Sequence, residues 1–501
     1  MSNAPSPQHR EGAHPPTQNI ELSPAHRWRA YWIAVSVAAL TILDLSKVNV
    51  ALPSIETALG AGPTELQLIV SGYVLTFGLV LVPAGRLGDQ RSRRVLFLVG
   101  LSLFLVTSLA CALAPTAGVL LVARLLQGVA AGIQMPQVLG LIQQLFQGAE
   151  RGRAFGLFGA TVGIATAFGP TLGGLLIALG GDTDGWRLIF WINVPLALIV
   201  IILAATMLPN TRTKSHRKVQ LDPVGILFFA LAVTALMWPF LFTTGSPSDN
   251  PQRWWLLVVS ALFIAIFIAW ERRYTERGKV PLIPFAIFAQ SSYRNGVLIS
   301  TTYFAALPAT FILTTLFLQT GLELPPVFAG MVTIGFAIAS AISAWFGGVL
   351  VSKIGRPLVV WGVAGLLAST IGLVAGAILI PSDYTLIGMA AILTVGGFAS
   401  GLVLSPNQTL MLADIPVAEG GLAGSVGQLG QRIGTAIGTA VALALFYAAV
   451  YREQGTRPTI DVYHDAYLYG MIAVGIFLGL SLIVGVVDLA SRRRHGVAQT
   501  P

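Results

Sequence analysis

An aspartate and a lysine stand three residues apart in TILDLSKVNVALP, residues 41–53, inside an otherwise apolar stretch that opens at Tyr31. Either charge costs about 2.5–3.5 kcal/mol at a bilayer centre on insertion scales, so the pair needs a use. Along a helix Asp44 lies roughly 20 Å from Tyr31 and roughly 12 Å from Leu52, too deep for a short carboxylate to reach water from a lipid-facing position. It is expected to face a polar cavity, where it exchanges a proton or meets a substrate amine. A structural polar contact between helices is the plainer alternative. Lys47, one turn further on the same helical face, either snorkels to an interface or pairs with Asp44. In the second case the pair keeps the carboxylate ionised until substrate or a conformational change parts it. Two more cations, Arg124 and Arg432, fall within apolar blocks, whereas His9, His14, His26, His216, His464 and His495 all fall in tails or loops. A proton relay inside the blocks therefore works without imidazole.

The elements that must position these groups are membrane helices. Of the 501 residues 55% are hydrophobic and 10% charged, against about 25% charged in soluble domains. The apolar residues form fourteen continuous blocks, from 29–52 to 466–490, each near the roughly 20 residues a helix needs to cross a bilayer. An even number places both termini on one side. Of the 30 Lys and Arg residues, Lys47, Arg124 and Arg432 lie within spans, and only Arg187, Arg253, Arg452 and Arg457 lie in loops opposite the termini. All the others, including Arg212, Lys214, Arg217 and Lys218, fall on the terminal side, which the positive-inside rule makes cytoplasmic. The net charge of +9 is thus a topology signal, and no nucleic-acid partner is expected. Residues 1–28 read as a disordered, Pro-rich cytoplasmic tail with no signal-peptide pattern. The single Cys111 excludes an intrachain disulfide and any CxxC motif. No metal or other cofactor is expected, and the absence of GxxxxGK[ST] argues against nucleotide hydrolysis.

The loop GRLGDQRSRR (Gly85–Arg94) is echoed by GVLVSKIGRP (Gly348–Pro357), pairing Gly85 with Gly348, Leu87 with Leu350 and Arg93 with Arg356. The echo falls eight spans later, which suggests a duplicated six-helix unit with two helices inserted between the copies. In this setting the first loop resembles the signature between helices 2 and 3 of the major facilitator superfamily, on Gly85, Leu87, Asp89, Arg93 and Arg94; Gln90 and Ser92 depart from it. ARLLQGVAAG resembles that family's arginine motif, on Arg124, Gln127 and Gly128. GIATAFGPTLGG resembles its exporter motif, on Gly163, Gly169, Pro170, Gly173 and Gly174. The opening stretch is similar to the LDxTxVNVALP signature of the fourteen-helix drug:proton antiporter branch, on Asp44, Val48, Asn49, Ala51, Leu52 and Pro53, with Ser46 for threonine. WRLIFWINVP (Trp186–Pro195), LDPVG (Leu221–Gly225) and, more loosely, AGSVGQLGQRIGTAIG (Ala423–Gly438) are similar to that branch too.

The resemblance implies an all-α polytopic membrane protein of the major facilitator fold, with a six-helix half over 29–208, linkers and two inserted helices over 209–294, a second half over 295–490 and a cytoplasmic C-tail over 491–501. It implies a proton-coupled exporter of hydrophobic or amphipathic compounds in the cell membrane, driven by the proton gradient and monomeric. Asp44 and Arg124 are then the proton-coupling pair, and Lys47, Asp89 and Arg93 gating or ion-pair residues. Asn49, Tyr73, Gln127, Gln134, Gln137, Tyr303, Phe304, Asn407, Gln408, Gln431 and Arg432 are candidates for the cavity wall, with Arg432 open between substrate contact and inter-helix bonding. Gly169 and Gly173 also form a small-xxx-small packing pattern. The cavity is expected to draw on spans 1, 2, 4, 5, 9, 10, 12 and 13. Three buried bases against one acid disfavour bivalent cations as cargo. An importer or facilitator of a small metabolite remains an alternative and a membrane sensor a distant one. A lipid-acting enzyme finds no histidine in the spans, so no enzyme activity is expected.

Overall fold

The computed structural model describes residues 22–209, 221–243, 249–453 and 459–494. Residues 1–21 of the tail expected over 1–28, the loop cations Arg212, Lys214, Arg217 and Lys218, Arg457, and residues 495–501 of the C-tail expected over 491–501 lie outside the described residues. Fourteen helices are long and apolar enough to cross a membrane. They are α1 (Pro24–Leu59), α2 (Thr64–Gln90), α3 (Arg93–Ala112), α4 (Ala117–Leu145), α5 (Gly148–Gly181), α6 (Thr183–Met207) and α7 (Pro223–Leu241). The remainder are α8 (Pro251–Glu276), α9 (Ser291–Gly321), α10 (Ile334–Ile354), α11 (Arg356–Leu379), α12 (Ser382–Met411), α13 (Val417–Glu453) and α14 (Thr459–Ser491). No strand occurs among the described residues.

Local chemistry sets several helix ends. Ser23 caps α1, its hydroxyl accepting from His26 N, and Pro24 supplies the preset φ of a first helical residue. The helix therefore begins inside the segment expected to be tail. At the other end Gly60, at φ 62°, takes the left-handed cap conformation. Gly181, at φ 80°, breaks α5 from α6, and Asp222 caps α7 by accepting from Gly225 N at 3.0 Å.

Helices α1–α6 pack on one another, as do α9–α14. The two groups meet where α2 and α4 touch α13 and where α5 touches α10 and α12. With lipid outside, close approach of small residues rather than water exclusion holds such helices together. Gly152 and Gly156 of α5 accordingly lie against Gly348 of α10, and Gly434 and Gly438 of α13 against Thr301 and Ala305 of α9. One apolar core joins residues of both groups at the end that carries the termini, including Leu139, Ile142, Leu412, Leu422 and Ala423. The inserted helices lie to one side: α8 packs on α7, and α7 packs on α2 and α13.

Candidate functional site

Three arrangements of polar side chains occupy this scaffold: a closed network within the first group of helices, a latch between the groups, and a cavity at their boundary.

The network is built on α1. Asp44 Oδ2 accepts from Arg124 Nη1 at 2.8 Å, and Asp44 Oδ1 accepts from Asn193 Nδ2 at 2.7 Å. Lys47 Nζ lies 3.7 Å from Asp44 Oδ1 and donates to Asn193 Oδ1 at 2.5 Å. Arg124 also donates to Gln127 Oε1 at 2.7 Å, and its guanidinium sits 4.1 Å from the Tyr73 ring centroid. Gln127 Nε2 in turn donates to Ser108 Oγ at 2.8 Å, with Cys111 Sγ 3.6 Å from Gln127 Oε1. Asp44, Lys47, Arg124, Gln127 and Asn193 are all wholly buried. A carboxylate with two cations and an amide is how a low-dielectric interior tolerates ionised groups, since each charge keeps a partner.

This corrects the expectation that Asp44 faces a cavity. Its carboxylate points between α1, α3, α4 and α6, so helix-to-helix contacts solvate it instead of an aqueous path. Lys47 does not snorkel; its ammonium is enclosed beside Asp44 and Asn193. Sequence reasoning missed Asn193, although one amide inside the apolar run IFWINVPLAL was a usable signal. The exporter-motif glycines press against the same stretch of α1: Gly169 abuts Ser46, and a Cβ on Gly173 would lie 3.0 Å from Lys47 O. Gly163 and Gly174 meet nothing within 4 Å and take no part in this contact.

The latch is built on the loop between α2 and α3. Asp89 pairs with Arg93 at 2.7 Å and accepts from Gly421 N at 3.0 Å and Leu422 N at 2.8 Å, at the start of α13. A carboxylate there meets both free amides and the positive end of the helix dipole. Arg93 also donates to the carbonyls of Gly140 and, at 2.9 Å, Val417. Gln143 Nε2 adds a bond to Leu412 O at 3.2 Å. All of these ties except Arg93–Asp89 and Arg93–Gly140 cross from one helix group to the other.

Away from the latch a cavity of about 680 Å³ opens between the groups. Its lining runs from Met135 and Phe158 near mid-helix to Gln67, Thr243, Leu316 and Tyr447, toward the helix ends opposite the termini. Of the expected wall residues, Asn49, Phe304, Gln408, Gln431 and Arg432 line it. The other six do not, each having found a partner elsewhere. Tyr73 and Gln127 belong to the Arg124 network. Gln134 Nε2 donates to Thr41 Oγ1 at 2.7 Å, and Gln137 Nε2 to Ala84 O and Ile133 O. Tyr303 bonds Ser400 Oγ at 2.6 Å, and Asn407 accepts from Arg356 at 2.7 Å. The inserted α7 and its end add Phe240, Leu241 and Thr243, while α10 contributes nothing to the wall. That corrects the expected set of cavity helices: α7 stands against α2 and α13, and α10 is occupied by its packing on α5 and α12.

Two helix groups, closed together at one end and parted by a cavity toward the other, are the architecture of a membrane-embedded secondary transporter. The family model described as Major Facilitator Superfamily matches residues 34–439, and the chain belongs to that superfamily. Its members are membrane-embedded and bind small-molecule substrates. The chain is 30% identical over 451 residues to the "Probable actinorhodin transporter" of Streptomyces coelicolor, covering 87% of this chain and 75% of that protein. It is 32% identical over 407 residues to the "Multidrug resistance protein Stp" of Mycobacterium tuberculosis, covering 79% and 71%. It is 31% identical over 472 residues to the "Puromycin resistance protein pur8" of Streptomyces alboniger, covering 92% and 90%. Among solved structures, the proton:xylose symporter XylE matches at a TM-score of 0.60 with 16% identity, covering 93% of this chain and 96% of that one. That similarity concerns the fold.

Proposed function

We propose that the chain is a proton-coupled exporter of hydrophobic or amphipathic small molecules, working by alternating access across the cell membrane with both termini in the cytoplasm. The observation that carries the reading is the enclosure of Asp44 between Arg124 and Lys47, on a helix whose adjoining face, through Leu45, Ser46 and Asn49, lines the cavity. With Asp44 ionised the network holds one negative and two positive charges. A proton added to Asp44 leaves two cations without a counter-charge in a wholly buried site, which a low-dielectric interior strongly opposes. Protonation therefore requires α1, α4 and α6 to separate enough for water or another acceptor to reach the cations. Movement of α1 also moves the cavity wall, so proton loading and cavity shape are tied through one helix.

The positive-inside distribution supports a cytoplasmic latched end, and the cavity described above would then face outward. Export then requires the Asp89 contacts to α13 to break, opening the cavity inward for loading. The names of the relatives, an antibiotic transporter and two resistance proteins, support export of antibiotic-like compounds. The test is transport in proteoliposomes under an imposed pH gradient, comparing the wild type with Asp44→Asn. Gradient-driven transport lost in a variant that still inserts and folds supports antiport. Transport indifferent to the gradient points to a facilitator and returns Asp44 to a structural role.

A further inference from the structure

We propose that the cavity holds its cargo by an anionic group, a carboxylate or phenolate on a flat aromatic body, seated on Arg432. The assignment deepens the export reading and rests on it for physiological meaning, although its test is a binding measurement that does not. Arg432 is the only charged residue among the cavity-lining residues described. No ion pair reaches it among the described residues, and its Nε is buried without a hydrogen-bond partner. Its guanidinium sits 4.6 Å from the Phe77 ring centroid, which holds the planar group in place beside the cavity.

A cation enclosed in a largely apolar wall is unfavourable until an anion joins it. The second, independent observation lies in the neutral groups of the same wall. Gln408 Nε2 and Ser405 Oγ, on α12, are buried donors without partners, and both side chains are more than nine-tenths buried. The same wall also holds one buried acceptor without a partner, Gln428 Oε1; the unpaired Arg432 Nε, Gln408 Nε2 and Ser405 Oγ outnumber it, and carboxylate oxygens satisfy such donors with charge-assisted bonds. Phe155, Phe158 and Phe304 supply faces on which an aromatic body packs. A cationic cargo finds the reverse: no carboxylate is among the cavity-lining residues described, and Asp44 is enclosed with Arg124 and Asn193 outside this wall. Carrying the anchor on α13, which Gly434 and Gly438 press against α9, places it on the opposite helix group from the proton-handling network.

The test uses the full chain in detergent at neutral pH and three fluorescent probes of one shape: 9-anthracenecarboxylate, 9-anthracenecarboxamide and protonated 9-(aminomethyl)anthracene. The carboxylate is expected to bind at least about tenfold more tightly than the amide, with the ammonium weakest. Arg432→Met should level carboxylate and amide, while Arg432→Lys retains part of the preference, because a point charge lacks the bidentate geometry. Equal or tighter binding of the amide or the ammonium to the wild type would overturn the assignment. So would no binding of any probe at millimolar concentration, or a carboxylate preference that survives Arg432→Met. If Arg432→Met fails to fold, the wild-type ranking and Arg432→Lys still decide. Gradient-driven transport of the carboxylate is measured in parallel in proteoliposomes. Its absence with the binding order intact would count against proton-coupled export alone, and its presence with the order lost would count against the anion seat alone.

Discussion

Arg93 and Arg356 hold matching places in the two halves of the chain and face opposite ways. Arg93 pairs with Asp89 and reaches Val417 in the other helix group. Arg356 turns into its own group, bonding Asp488 at 2.5 Å, Asn407 Oδ1 at 2.7 Å and Ser292 O at 3.2 Å. The position that would repeat Asp89 is Ser352, whose hydroxyl bonds Val349 O within its own helix. One arginine joins the halves and its counterpart braces one of them.

Asp89→Asn should loosen the latch without unfolding the protein. It removes a charge-assisted cap and an ion pair, which together contribute about 2 kcal/mol or more, a shift of roughly 30-fold in the equilibrium between latched and open forms. The measurement is labelling of a cysteine placed at Gln428 by a membrane-impermeant maleimide, in a Cys111→Ala background. Faster labelling from the cytoplasmic side is expected; an unchanged rate from both sides would remove the latch from the transport cycle.

Arg356→Gln should act on stability instead. Breaking a buried ion pair by removing one partner costs about 3–5 kcal/mol, because the remaining charge stays enclosed. Thermal unfolding of the purified protein should show a clear loss for Arg356→Gln and for Asp488→Asn. The double change Arg356→Met with Asp488→Leu should recover much of it. Labelling from the cytoplasmic side, normalised to folded protein, should stay at the wild-type rate.

Lys47→Ile removes one of the two cations that oppose a proton entering the Asp44 network. The pH profile of gradient-driven transport is therefore expected to differ from that of the wild type. Transport assayed across a pH series reads this directly. A superimposable pH profile would make Lys47 a packing residue.

The exporter-motif glycines should separate into two classes. Gly169→Leu and Gly173→Leu drive a side chain into Ser46 and Lys47 on α1, and overpacking of that kind costs about 1–3 kcal/mol or more. Both are expected to abolish most transport and to shift thermal stability. Gly163→Ala and Gly174→Ala, whose added methyl meets open space, should transport within about twofold of the wild type. Equal damage at all four positions would tie the motif to something other than the α1–α5 contact.

The span count was legible because the hydrocarbon thickness forces long uninterrupted apolar blocks, and Asp44, Arg124 and the Asp89–Arg93 loop stood out because charge is rare within or beside them. The allocation of faces was not legible. Asp44 and Ser46 are two residues apart, yet one enters a closed network and the other the cavity wall. A helix covered by protein on several sides carries no polar stripe to tell those faces apart. For the same reason Gln134 and Gln137 read as cavity amides while each binds a neighbouring helix, at Thr41 and Ala84. Phe240 and Thr243 were beyond reach for a different cause: nothing local in the inserted helices says that α7 docks between α2 and α13.

The enclosure of Asp44, Lys47, Arg124 and Asn193 away from the cavity also bears on how such a chain changes over generations. Residues of α9, α12 and α13 that line the cavity share no hydrogen bond with that network among the described residues. If the proposed proton-coupled export holds, drift in the cavity wall can thus try out new compounds while the charged network stays untouched, and the range of cargo can widen without first breaking the coupling.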